Sequence, residues 1–466
     1  MNIILVTIDS LRADHLGCYG YSRNTSPNID KLAKKGVLFL QAISNGGGTP
    51  EAFPSILFSI PPLLINPIVS LNDYRIVLKS YIPISEILKR EGFSTAAFHS
   101  NPFLTELYGY GKGFEVFESS IVSLSMHGFF EKIGRVAKKC MDKVLGKNNK
   151  LSYFLIQLYS LVIPRKEAPY LRATEITQKA ISWLEKRKPN RFFLWIHYMD
   201  VHHPYLPSKD YLKMFLSRPV STKKIFQISQ KMVNFPNKIS KEERDLLLAL
   251  YDAQIRFVDE QIGLLLDELE EKGSLDETII IVTADHGEEF GEHGVFSHGT
   301  VYDSTIRVPL IIQGPTIPSG LIIEEQVELL DLAPTIIDIL GLREISSLHG
   351  ESLLKVIKER RTKKHGIISV AYAKANRILV SYRTKKWKYI LTMNSKNEIT
   401  GRELYNLSSD PGETKNLYSI EKEKARELEL RILDYVSTEK LKESSIIERE
   451  KIRRSVEKIR LRTNKR

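Results

Sequence analysis

Apolar runs and amphipathic stretches alternate along this chain, and their periods separate strand from helix. NIILVT from Asn2 and TIIIVTA from Thr278 are β-branched and apolar with no helical period, the pattern of parallel strands buried on both faces. GFSTAAFH from Gly92 and RFFLWIHY from Arg191 read as further strands. Helical spacing of apolar residues predicts helices over Ile84 to Lys89, Ala173 to Arg187 and Lys241 to Glu271. Ser26-Pro27 ahead of Ile29, Leu32 and Ala33 predicts a short helix with an N-cap serine and proline in its first turn. LLDLAPTIIDILG from Leu329 predicts a helix closed by Gly341.

After His365 the period changes. GIISVAYA, RILVSYRT and WKYILTMN predict successive strands of a small antiparallel sheet, and helix returns from Ile420. The pattern implies an α/β fold with a mostly parallel central sheet over residues 1–364, an antiparallel-sheet subdomain over 365–430, and a basic helical or disordered tail over 431–466. Residues 120–166 break the alternation. They are basic, helical in period and rich in large apolar side chains, and are read as an insertion that forms a lid or lies on a membrane surface.

Hydrophobic residues make up 42% of the chain and charged residues 27%, as in ordinary globular proteins. The net charge of +12 adds a preference for anionic partners: a sulfated or phosphorylated ester, with peripheral lipid contact as a second option and nucleic acid not expected. Two cysteines, Cys18 and Cys140, provide no disulfide framework. With no leader-like pattern at Met1 and no apolar run of membrane-spanning length, the reading is a cytoplasmic protein.

The chemistry concentrates in TADHGEEFGEHGVFSHG from Thr283, where Asp285, His286, Glu288, His293 and His298 follow a buried strand. Asp9 follows the first strand in the same way. Strand carboxyl ends in open α/β sheets face the ligand crevice, so the two aspartates are expected to meet there. SNGGGTP places Thr49 after three glycines, with a helix expected after Pro54 whose N-terminus would favour an anion. Aspartate and histidine together suit Mn²⁺ or Zn²⁺ better than an all-oxygen cage, although Ca²⁺ and Mg²⁺ remain compatible. A metal contacting Thr49 would activate its hydroxyl, with His202 or His298 protonating the leaving group. His197, after WI, reads as a buried core residue, and His293 as a metal ligand, a neighbour of one, or a surface residue.

Four stretches carry a resemblance: NIILVTIDSLRADHLGCYGY with TSPNIDKLAKKGVLF, VTADHGEEFGEHG with Arg307-Val308-Pro309, FLWIHYMDVHHPY, and ELYNLSSDPGETKNL. They resemble the sulfatase branch of the alkaline phosphatase superfamily, from Met1 to about Leu417. The resemblance implies an α/β/α sandwich, Asp9, Thr49, Asp285 and His286 as ligands of one divalent metal, Thr49 as nucleophile, and Asn101, His202 and His298 facing the substrate. Departures accompany it. The family matures cysteine or serine to formylglycine, which is not expected from Thr49; Ser10 replaces an aspartate, His286 an asparagine, and Phe53 an arginine. These changes resemble the superfamily's phosphonate and phosphodiester hydrolases. The expected protein is a metal-dependent hydrolase that cleaves phosphodiester or phosphonate esters in preference to sulfate esters. The alternatives are a phosphoglycerol- or phosphoethanolamine-type transferase acting on a lipid or glycan, and a catalytically inactive anion-binding protein.

Overall fold

A computed structural model describes residues 1–66, 69–119, 170–343, 347–362, 365–373 and 377–463. The insertion read at 120–166 therefore lies outside the described residues.

The central sheet grows from the apolar runs. β1 (Asn2–Ile8) is buried along its whole length, as is β6 (Thr278–Ala284), and the two pair in parallel with Ile8 opposite Ala284. β2 (Val37–Ile43), β3 (Ser94–His99), β4 (Val116–Ser119), β5 (Phe192–Tyr198), β7 (Arg307–Val308), β8 (Leu310–Gln313) and β9 (Leu321–Glu328) complete nine strands. Their order is β4-β3-β5-β1-β6-β8-β2-β7, with β9 also on β2. The five strands from β4 to β6 are mutually parallel, while β8 runs antiparallel to both β6 and β2. Asp9 and Asp285 follow β1 and β6 immediately, so the parallel register delivers both carboxyls to one edge.

The predicted helices form as α1 (Pro27–Lys35), α2 (Thr49–Phe58), α4 (Ile84–Arg90), α5 (Ala173–Arg187), α6 (Lys241–Glu271) and α7 (Leu332–Ile339), and a helix that was not predicted, α3 (Leu71–Lys79), lies between α2 and α4. α6 starts in a capping box, with Ser240 Oγ accepting from Glu243 N and Glu243 Oε2 accepting from Ser240 N. Gly341 adopts φ +64° after α7, the left-handed turn expected of it. Two details differ from the reading. Ser26 stands at the N-cap of α1 but makes no side-chain cap bond; its hydroxyl donates to Asp30 Oδ1 and accepts from Gly17 N, joining the helix to the loop after β1. α2 begins at Thr49 itself, since Pro50 suits a first turn and Pro54 is carried inside the helix.

β10 (Ile367–Ala373), β11 (Arg377–Arg383), β12 (Trp387–Met393) and β13 (Ile399–Asn406) form the antiparallel sheet in sequence order. One helix, α8 (Lys422–Thr463), follows, so the expected break near residue 430 falls inside a continuous element. Ala425, Leu428, Ile432 and Val436 seal that sheet, so an apolar face anchors the helix into the start of the stretch read as a basic helical or disordered tail. No helix among the described residues is long and apolar enough to cross a membrane.

A buried charge cluster joins the two sheets. Asp303 Oδ2 lies 2.7 Å from Arg383 Nη2, and Asp303 Oδ1 lies 2.6 Å from Lys388 Nζ, which is itself 2.8 Å from Glu413 Oε1. Burial opposes the Asp303 charge, but Arg383 and Lys388 outweigh it and hold this carboxyl well below the usual range. A depressed folded pKa contributes stability that is present above the unfolded value of about 4 and is lost as pH falls below it. Asp303→Asn leaves two buried cations with one carboxylate, and we expect it to cost about 3–5 kcal/mol in urea unfolding at neutral pH, with the difference from wild type shrinking below about pH 4.

Candidate active site

The strand ends of β1 and β6 bring Asp9, Asp285 and His286 together as fully buried side chains whose ligand atoms lie within 4.8 Å of one another. His286 Nε2 is 3.6 Å from both Asp9 Oδ1 and Asp285 Oδ2. Its Nδ1 sits 2.9 Å from the Gly287 carbonyl, an acceptor only, which assigns the proton to Nδ1 and leaves the Nε2 lone pair aimed at two carboxylates. Nε2 has no hydrogen-bond partner among the described residues. Three electron-rich groups converging in a dry site fit a divalent cation, and a backbone-oriented imidazole is the arrangement metal-ligating histidines adopt.

The electrostatics agree. Asp285 is raised, first by burial and then by the charge of Asp9, while Asp9 is held far below its ordinary value because His202 and His197 outweigh its burial. Two carboxylates sharing one buried site separate in this way when no cation balances them.

Thr49 enters from the first turn of α2. Its Oγ1 donates to Asp285 Oδ2 at 2.8 Å and lies 3.4 Å from Asp9 Oδ2. Asn101, just beyond β3, donates from Nδ2 to Asp9 Oδ2 at 2.9 Å and to Thr49 Oγ1 at 3.3 Å. The threonine hydroxyl thus has one lone pair engaged by Asn101 and its proton directed to a carboxylate.

The imidazoles line the other side. The ring of His298 is 4.4 Å from that of His286 and 5.1 Å from that of His202. Burial disfavours the His298 charge, but Glu288, 3.4 Å from its Nδ1, raises it to about 9. Every residue read as a site candidate therefore falls in one cluster except His293. That side chain stacks on Tyr302 at 3.7 Å, with Nδ1 2.9 Å from Glu289 Oε1 and Nε2 3.1 Å from the Gly412 carbonyl, so it packs at the C-terminal subdomain and is no neighbour of the metal cluster.

Other residues named from the sequence had no place in the cluster assigned to them. His197 is buried as expected, but its Nε2 lies 3.3 Å from Asp9 Oδ2, with Nδ1 2.9 Å from Thr7 Oγ1. Glu288 is buried beside His298, and Tyr205 donates to its other oxygen at 3.2 Å. Ser10 takes φ +61°, a strained value that persists because its hydroxyl donates to Asp9 Oδ1 and its carbonyl accepts from Tyr251. The sequence marked it twice, by its position one residue after a strand-end aspartate and by the resemblance, in which it replaces an aspartate.

Comparison with known proteins places this arrangement. The family model described as Sulfatase matches residues 1–342, and a second, described as N-sulphoglucosamine sulphohydrolase, C-terminal, matches 291–438. An arylsulfatase of Clostridium perfringens is 27% identical across 91% of this chain and 92% of its own length. Bovine arylsulfatase K is 24% identical across 89% and 78%. Among solved structures, a phosphonate monoester hydrolase of Agrobacterium radiobacter shares the fold with TM-score 0.68 and 20% identity, covering 95% of this chain and 96% of that one. A structure solved with its substrate D-glucosamine-2-N,6-O-disulfate does so with TM-score 0.67 and 18% identity, covering 94% and 97%.

A cation that binds only the folded cluster stabilises the protein by mass action. We expect Mn²⁺ or Zn²⁺ at a hundredfold excess over its dissociation constant to add about 2.7 kcal/mol to stability, read as a raised unfolding midpoint. Asp9→Asn and His286→Ala should lose that rise; its survival in both variants would place the cation elsewhere.

Proposed function

This chain belongs to the sulfatase family and is a sulfatase-family ester hydrolase, and on that premise we propose that the Thr49 hydroxyl is its nucleophile. The observation that carries the proposal is the 2.8 Å hydrogen bond from Thr49 Oγ1 to Asp285 inside the carboxylate and imidazole cluster. We further propose that phosphodiesters and phosphonate monoesters are cleaved in preference to sulfate esters. The threonine carbinol is secondary, so its oxidation stops at a ketone and does not yield an aldehyde hydrate. An unmodified hydroxyl must release its ester by a second displacement at the central atom, a route that suits phosphorus. The arylsulfatase relatives argue for the sulfate ester, and the two substrates are therefore tested side by side.

Asp9, Asp285 and His286, with Thr49, would hold the divalent ion, which supplies Lewis-acid neutralisation of the ester oxygens and a lowered hydroxyl pKa when bound. The chain's own groups do the rest. Asn101 orients the Thr49 lone pairs, and the hydroxyl proton leaves along the bond to Asp285. The N-terminus of α2 adds a fixed partial positive charge at the same place. As the bond from Thr49 Oγ1 to phosphorus forms, the bond to the leaving oxygen breaks, and that oxygen takes a proton from His298 or His202, adjacent imidazoles facing the cluster. Water then attacks phosphorus while giving a proton back to that imidazole, the bond from phosphorus to Thr49 Oγ1 breaks, and Oγ1 recovers its proton from Asp285, which regenerates the hydroxyl. Phe53 takes no part in anion binding; its ring packs edge-on against His197 at 5.2 Å, so the charge complement of the ester comes from imidazole and metal.

Initial rates on an aryl phosphodiester, an aryl phosphonate monoester and an aryl sulfate, each with added Mn²⁺, test the substrate preference. We expect the phosphorus esters to win and the sulfate to lag; a faster sulfate would reverse the preference while leaving the nucleophile standing. Thr49→Ala should lower kcat by at least about a thousandfold without weakening Mn²⁺ retention to the same degree. Full turnover in that variant would end the hydroxyl route.

A further inference from the structure

The nucleophile's loop is bonded as closely to the C-terminal sheet as to its own domain. β10 is an edge strand of that sheet, and its outward backbone groups are occupied by residues 45–51. Val370 N donates to the Asn45 carbonyl at 3.0 Å, and Gly47 N donates to the Val370 carbonyl at 2.9 Å. Ser369 Oγ donates to the Ser44 carbonyl at 2.6 Å, and Asn45 Nδ2 to that of Ile368 at 3.2 Å. The fit leaves no slack: a Cβ on Gly47 would stand 2.0 Å from the Thr300 carbonyl oxygen and 2.8 Å from Ala371 Cβ. These bonds hold the loop ahead of Thr49. One more reaches past it, from Tyr372 N to Glu51 Oε1 at 2.8 Å.

Glu51 is 3% exposed, and no part of the reaction described above employs it. It sits two residues after Thr49 in the first turn of α2, where a carboxylate complements the helix dipole. Its second oxygen has no hydrogen-bond partner among the described residues and lies under Gly48, 2.9 Å from where a Cβ would stand. Gly48 is extended at φ −164°, so glycine serves here to make room for the carboxylate and not for its backbone freedom. A buried carboxyl costs free energy unless it secures something. What this one secures is the rotation of the first turn of α2, because Thr49 and Glu51 are fixed by the same helical backbone and Glu51 is tied to the far sheet.

We propose that Glu51 is a positioning residue: through Tyr372 N it clamps the first turn of α2 to β10, so that the C-terminal sheet sets where Thr49 Oγ1 points. This rests on Thr49 being the nucleophile. A displacement of about 1 Å at a reacting group costs on the order of a hundredfold in rate, which makes so small a tie consequential.

The test uses the full chain with Mn²⁺ and whichever aryl ester the wild type turns over fastest, together with amide hydrogen exchange. Glu51→Ala should lower kcat about ten- to a hundredfold while KM stays within about threefold. Glu51→Gln keeps an oxygen to accept from Tyr372 N and should recover to within about threefold of wild type. Tyr372→Pro removes the donor from an edge position that the strand pairing does not use, and Tyr372→Ala is its reference, since it loses the same side chain but keeps the N–H. Relative to Tyr372→Ala, the proline variant should show the Glu51→Ala loss, and combining the two should add little. Amides 46–52 should exchange faster in Glu51→Ala and Tyr372→Pro only.

A Glu51→Gln variant as slow as Glu51→Ala, with wild-type exchange, would overturn the clamp and assign the carboxylate to the chemistry. Wild-type kcat and exchange in Glu51→Ala would overturn it outright. If Thr49→Ala remains active, the nucleophile assignment fails by itself, and the exchange pattern still decides whether the tie orders the turn.

Discussion

Two carboxylates that repel each other in a dry site are the constraint on which this structure depends. Asp9 and Asp285 are forced together by the parallel pairing of β1 and β6, whose apolar side chains bury both strands completely. The sheet's burial provides the free energy that holds the pair, and the surrounding groups moderate the repulsion: His197 and Asn101 on Asp9, Thr49 on Asp285, His286 between them. The strained backbone of Ser10 belongs to the same account, because the turn after β1 must present Asp9 inward while two hydrogen bonds fix its successor.

That arrangement makes the site anion-repelling until positive charge is added. The family's arginine position is occupied by Phe53, which is fully buried against aromatic rings. In the proposed reading, positive charge comes from His298, which Glu288 keeps protonated, and would be completed by a cation held by Asp9, Asp285 and His286. A polar group that must bind an anion is thus placed on side chains whose protonation depends on neighbours, and Tyr205 and Glu288 become part of the site through that dependence.

The antiparallel sheet is no appendage in this architecture. It reaches the catalytic half through the Asp303, Arg383, Lys388 and Glu413 cluster on one side and through β10 on the other. Both contacts border functional loops, since Asp303 lies five residues after His298 and β10 borders the loop that ends at Thr49. Helix α8 then covers the sheet's outer face with Leu428, Ile432 and Val436.

Much of this was legible in the residues alone. Period and composition identified β1, β5, β6, α5 and α6, because strands buried on both faces and long amphipathic helices carry strong local signals. Strand-end placement was enough to pair Asp9 with Asp285, and the glycine run marked Thr49 as a special position. Local signals failed where an interaction spans the chain. Nothing near Ser26 shows that its hydroxyl serves a neighbouring loop in place of its own helix, and nothing near His197 shows that a core histidine touches a site aspartate. Glu51 looks like a solvated helix residue until Tyr372, 321 positions away, is brought against it. The sequence by itself determined which strands are buried and which side chains stand at their ends, since these follow from periodicity. Only the tertiary structure decided which of those side chains meet, which nitrogen of His286 faces the carboxylates, and what holds Thr49 in place, because those depend on contacts between segments that share no local pattern.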